Sequence, residues 1–156
     1  MNFKNIDLTK ILHQYFDETA LFLEQEGLNF IYTMDKALPL VDVDTDRIIQ
    51  VLENLVCNAA KFTPAGGVIH IMVNASAGVV QLAVADNGKG LTREELPYIF
   101  TRFFKGQSKT NIKSTSSSGL GLAIAKAIIE AHHGTIWAES NRVKGSRFIF
   151  TIPAAD

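Results

Sequence analysis

The chain predicts a two-layer α/β fold, with three helices on one face of a mixed, mostly antiparallel sheet. Three observations lead there. Three segments repeat apolar residues at helical spacing, and two pairs of alternating apolar segments are each joined by a turn. The 156 residues, 47% of them hydrophobic, can build one compact core but not two. The order helix, strand, helix, hairpin, helix, hairpin then gives one layered domain over residues 1–156, with no internal repeat and no linker.

In chain order, Leu8, Ile11, Leu12, Tyr15, Phe16, Ala20 and Leu23 mark a first helix from Leu8 to Gln25, and Gly27 stands where it should stop. Asn29 to Met34 reads as a short strand, Asp35 to Leu40 as a turn region carrying Pro39, and Val41 to Val43 as a brief strand. Asp44 or Thr45 is placed to cap a second helix from about Asp46 to Phe62, which Thr63-Pro64-Ala65-Gly66-Gly67 must end. Val68 to Asn74 and Val79 to Ala85 alternate faces across a turn at Ala75 to Gly78, a hairpin expected at the sheet centre. Thr92 to Tyr98 has the makings of a short helix. Gly106 to Ser118 is polar, serine-rich and aperiodic, and reads as mobile. A third helix follows from Leu120 to His133, with Gly134 as its terminating glycine. Thr135 to Ser140 and Arg147 to Ile152 form the second hairpin.

Composition excludes several classes. A net charge of −1 gives no general argument for nucleic-acid binding, and the longest apolar stretches, such as Ala123 to Ile129 broken by Lys126, fall far short of a membrane span. Met1 to Lys10 has no secretory pattern. The lone Cys57 excludes an internal disulfide and a multi-cysteine zinc site, and favours a reducing cytoplasm. Between Leu96 and Ile129 there is no acidic residue, whereas Arg102, Lys105, Lys109, Lys113 and Lys126 all fall there. Such a segment attracts anions, or is simply a solvated basic loop.

Three groups of residues point to chemistry. On the second helix Ile48, Leu52, Leu55, Ala59 and Phe62 form an apolar stripe, while Asn54, Asn58 and Lys61 share another arc. Asparagine is a mediocre helix former, so that arc is either a solvated face or one kept for metal and phosphate. Asp86 ends a strongly apolar strand, where a buried carboxylate needs a hydrogen-bond donor. An adenine amino group could serve, with Gly88 and Gly90 admitting the base, although Asp-Asn-Gly is also an ordinary turn. Finally, Gly119-Leu120-Gly121-Leu122 opens a helix whose orphan N–H groups and dipole favour phosphate, without the Gly-Lys-Ser/Thr ending of a Walker A loop.

The ordered set resembles the ATP-binding catalytic domain of bacterial sensor histidine kinases, of the GHKL superfamily shared with gyrase B and MutL. Asn54 to Thr63 is similar to that family's N box, Asp86 to Gly90 to its G1 box, Ile99 to Lys105 to its F box, and Gly119 to Ile124 to its G2 box. His132-His133-Gly134-Thr-Ile-Trp and Gly145-Ser-Arg-Phe match its end. The resemblance covers nearly the whole chain and implies the Bergerat fold. It assigns Asn58 to Mg²⁺, Asp86 to the adenine amino group, Lys61 and Lys105 to phosphates, and Gly119, Leu120, Gly121 and Leu122 to the phosphate side. It makes Gly106 to Ser118 an ATP lid anchored by Phe100 and Phe103. Four positions depart from the usual pattern: Phe62 stands for tyrosine, keeping an aromatic wall, Ser117 for the first G2 glycine, His133 for glycine, and Arg147 for a small hydroxyl residue.

The resemblance further implies phosphoryl transfer from Mg²⁺-ATP to histidine. Superfamily ATPases carry a glutamate at the position of Asn54, and an amide cannot accept a proton from water, so hydrolysis should be slow. Asn54, Asn58 and Lys61 are the catalytic candidates. None of His13, His70, His132 and His133 has the acidic neighbour of the family's phosphorylated histidine, so the acceptor is expected on a dimerisation domain before Met1. The implied partners are that domain and, indirectly, a response regulator, in a homodimeric parent. No nucleic-acid or direct membrane contact is expected, and the domain itself should be cytoplasmic. The alternative function is a nucleotide-sensing module of the same fold without phosphotransfer.

Overall fold

The computed structural model describes residues 1–101, 120–141 and 145–155. In chain order the elements are β1 (Lys4–Ile6), α1 (Thr9–Gln25), β2 (Asn29–Met34), β3 (Val41–Val43), α2 (Thr45–Phe62), β4 (Val68–Ser76), β5 (Val79–Asp86), α3 (Gly121–Ala131), β6 (Ile136–Asn141) and β7 (Gly145–Pro153). A single 3₁₀ turn at Leu96–Tyr98 precedes α3.

The main sheet has the order β2-β4-β5-β7-β6. β2 runs parallel to β4, and every other neighbouring pair is antiparallel, so the expected mixed sheet is observed with the β4–β5 hairpin at its centre. Alternation along the strands sends Ile69, Ile71 and Val73 of β4, and Val80, Leu82 and Val84 of β5, into the core. There they meet Leu12, Phe16 and Leu23 of α1, Ile48, Leu52 and Leu55 of α2, and Ala125 and Ile129 of α3. Each large side chain buried this way contributes about 1.5–3 kcal/mol.

Local chemistry sets the element ends. The Asp44 carboxylate accepts from the backbone N–H of Arg47 at 3.4 Å and from that of Asn2 at 2.9 Å, which caps α2 and pins the amino-terminal segment to it. Both bonds favour the ionised form and hold the Asp44 carboxyl below its ordinary range. Ala77 and Gly78, with φ of 52° and 80°, make the two-residue turn between β4 and β5. Thr92 and Glu95 exchange side-chain-to-backbone bonds of 3.0 and 3.1 Å, a capping box ahead of the 3₁₀ turn. Only Leu96 to Tyr98 of the short helix expected from Thr92 is therefore helical.

One element was not anticipated, and one expectation needs correction. Lys4–Ile6 forms a strand, paired antiparallel with β3 in a separate two-stranded sheet; three residues are too few for a periodicity to show. At the end of α3 the left-handed residue is His133, with φ of 62°, and Gly134 does not have positive φ. Gly134 answers to space instead: a Cβ there would lie 1.9 Å from the Thr151 carbonyl oxygen.

Candidate functional site

The site is organised by α2. Asn54, Asn58 and Lys61 are only 7%, 8% and 8% exposed, which removes the reading of a solvated polar face. Asn54 Nδ2 donates to the carbonyl oxygen of Gly121, the first residue of α3, at 3.0 Å. At the opposite end, His132 just past α3 accepts at Nε2 from the Asp44 N–H at 3.0 Å. Its Nδ1 lies 2.8 Å from the Ile128 carbonyl oxygen and donates there in the neutral tautomer. The two helices are thus antiparallel and tied at both ends. Among the described residues the Asn58 side-chain amide has no hydrogen-bond partner, and, although the residue is largely buried, its amide is not fully enclosed and so stays open to a ligand.

At the last turn of α2, the Phe62 ring faces two cations, with Lys89 Nζ 5.1 Å and Lys61 Nζ 5.9 Å from its centroid. Gly88 seats the following loop on the same turn. A Cβ on it would fall 2.4 Å from the Phe62 carbonyl oxygen, so only glycine allows this approach. Asn87 lines up the loop from the other side, donating its N–H to the Val68 carbonyl at 3.3 Å and accepting from the Val68 N–H at 2.8 Å. Gly90 takes a φ of 74°, and the N–H of Leu91 beyond it donates to Ser140 Oγ.

Asp86 closes the site at the end of β5, 5% exposed. One carboxylate oxygen accepts from the Gly88 N–H at 2.9 Å and the other from Ser146 Oγ at 2.8 Å. Burial pushes its carboxyl above the ordinary range, and these two hydrogen bonds work against that rise. Ser146, Asn87 and the close approach of Gly145 to Asp86 were not found from the sequence. Asp86 and Ser146 face each other in the β5–β7 register, sixty residues apart, and only the strand pairing brings them together. Arg147, which departs from the family pattern, sits on the other face of β7 and pairs with Glu139 at 3.1 Å. The hydroxyl at this end belongs to Ser146.

The expected residues therefore form a chain of contacts from Gly121 through Asn54 and the α2 face to Phe62, Gly88 and Asp86. With a rise of about 1.5 Å per residue, Asn54 and Phe62 are about 12 Å apart along the helix, the scale of an extended nucleotide. Gly121 and Leu122 are buried at the start of α3, and Leu120 half-buried before it. Phe100 packs edge-on against Phe148, with ring centroids 6.1 Å apart. Lys105, Gly119, Phe103, Ser117 and the lid from Gly106 to Ser118 lie outside the described residues.

Residues 43–156 match the family described as histidine kinase-, DNA gyrase B- and HSP90-like ATPase. The chain belongs to that family. This ATPase-family domain is 34% identical over 95% of its length to the sensor histidine kinase WalK of Bacillus subtilis, covering 24% of WalK. It is 36% identical over 96% of its length to the adaptive-response sensory kinase SasA of Thermosynechococcus vestitus, covering 39% of SasA. It thus spans from about a quarter to about two fifths of the length of these relatives. Among solved structures, the catalytic domain of histidine kinase ThkA superposes with a TM-score of 0.82 at 32% identity, covering 98% of this chain and 96% of that one. ThkA has also been solved in complex with the response regulator TrrA, where the match has a TM-score of 0.78 and covers 42% of the ThkA chain.

Proposed function

We propose that this ATPase-family domain binds Mg²⁺-ATP along the α2 face and passes the γ-phosphate to a histidine on a dimerisation domain of a longer, homodimeric kinase that signals to a response regulator. The observation that carries the reading is a largely buried Asn58 whose amide is open and takes no partner among the described residues, on the same helix face that ends beside the buried Asp86. Asp86 accepts from the adenine amino group, and Phe62, Gly88 and Gly90 bound the base. Lys61, Lys105 and the N–H groups from Gly119 to Leu122 meet the phosphates. A carboxamide oxygen suits a hard cation that keeps several waters. Such a cation neutralises charge on the triphosphate. Phosphoryl transfer asks the protein chiefly for positioning and charge neutralisation, which these residues supply. Among the described residues no helix is long and apolar enough to cross a membrane; the domain works on the cytoplasmic side, where ATP is found.

The test is transfer in trans. Mixed with a separate fragment of the same kinase that carries the dimerisation helices and histidine, the domain should deposit acid-labile phosphate on that fragment. Persistent absence of label with ATP demonstrably bound would make it a sensing module instead. Asn58→Ala is expected to cut ATP affinity several-fold in the presence of Mg²⁺ and little in its absence, as measured by calorimetry; equal losses in both would assign Asn58 to packing.

A further inference from the structure

We infer that Asn54 is a positioning residue that clamps the first turn of α3 so that its free N–H groups stay aimed at phosphate. This role rests on the nucleotide reading above and stands beside the catalytic one expected for Asn54. Two observations carry it. Asn54 commits one amide N–H inside the protein, Nδ2 donating to the Gly121 carbonyl at 3.0 Å from a side chain 7% exposed, and its Oδ1 accepts no bond from the described residues. Among the described residues the start of α3 also has no side-chain cap: Leu120 in the capping position carries no side-chain acceptor, and the first turn has no acidic residue.

A helix start of this kind frays easily, because its first N–H groups have no partner in the helix. A side chain acting on those N–H groups would occupy the donors that phosphate needs. Asn54 instead grips the opposite pole of the first peptide unit, since the Gly121 carbonyl has a second lone pair beyond the one serving the helix. The turn is fixed and its donors stay open. The α2–α3 pair is fixed at the far end by the Asp44–His132 bond, so the Asn54 contact decides how the phosphate end sits.

The experiment compares ATP and adenosine binding by Asn54→Asp and Asn54→Ala with the unmodified chain between pH 5 and 8. Adenosine reports the Asp86 end and ATP both ends. Both variants should bind adenosine as the unmodified chain does, and lose about 5- to 10-fold in ATP affinity at pH 8, the size of one lost buried hydrogen bond. On acidification Asn54→Asp, expressed relative to the unmodified chain at each pH, should regain ATP affinity, because the protonated carboxyl restores a donor in the same place. Asn54→Ala should not. ATP affinity unchanged in both variants, or a parallel loss of adenosine and ATP in both, overturns the role, the second result marking a folding residue. Failure of the unmodified chain to bind ATP would instead sink the nucleotide reading, and this role with it.

Discussion

Asp86→Asn should leave the chain folded and weaken ATP binding by roughly 10- to 100-fold. The variant keeps the internal geometry: Asn Oδ1 still accepts from the Gly88 N–H, and the Ser146 hydroxyl can rotate to accept from the new amide. What disappears is the acceptor offered to the adenine amino group. A hydrogen bond to a charged group contributes about 1.5–3 kcal/mol, which sets the expected loss. Stability should move the other way. Burial raises the Asp86 carboxyl above its ordinary value, so the fold favours the protonated form, and ionisation at neutral pH subtracts from stability. That penalty is present above the folded value and relieved as pH falls through it. The melting temperature of Asp86→Asn at pH 7 should therefore equal or exceed that of the unmodified chain. ATP affinity of the unmodified chain should begin to decline on acidification while ordinary carboxylates are still ionised. A calorimetric titration across pH together with thermal melts measures both; retained affinity in a less stable variant would refute the assignment.

The largest loss of stability is expected from Gly145→Ala. Gly145 opens β7 with φ of 92°, and a Cβ there would stand 2.0 Å from the Asp86 carbonyl oxygen and 2.8 Å from the Asn87 Cα. Both neighbours are backbone, so neither can swing aside. A side chain forced into this conformation costs on the order of 1–3 kcal/mol before the clash is counted. Relief of the clash must displace the end of β5, and Asp86 with it. Gly78→Ala is the control, because Gly78 also has positive φ, 80°, but nothing within 4 Å of its added Cβ. Denaturant midpoints should fall for both and much further for Gly145→Ala, which should also lose ATP binding. Equal midpoints would mean that β7 and β5 do not approach so closely.

Most of the architecture could be read from periodicity. Each long element satisfies a period of 3.6 or 2 over several repeats, and breakers such as Pro64-Ala65-Gly66-Gly67 mark its end. β1 escaped because its three residues carry no repeat and acquire strand character only by pairing with β3. The end of α3 was placed two residues late, at His133 in place of Ala131, and its left-handed residue one late, for a related reason. Glycine usually signals a left-handed turn, and here Gly134 is required by the distant Thr151 carbonyl while His133 makes the turn. The residues of the site were legible as types, asparagines on one helical arc and an aspartate after an apolar strand. Their states were not. That Asn54 is bound to Gly121, that Asn58 is buried, and that Asp86 leans on Ser146 depend on contacts between segments far apart in the chain.

The dependence of Asp86 on a hydroxyl sixty positions downstream makes the adenine recognition proposed for it a property of the assembled sheet. No contiguous peptide cut from this chain short of both strands can carry the Asp86–Ser146 pair. Ligand occupancy is consequently a gauge of global integrity: saturating nucleotide at a hundredfold excess over its dissociation constant adds about 2.7 kcal/mol to the folded state.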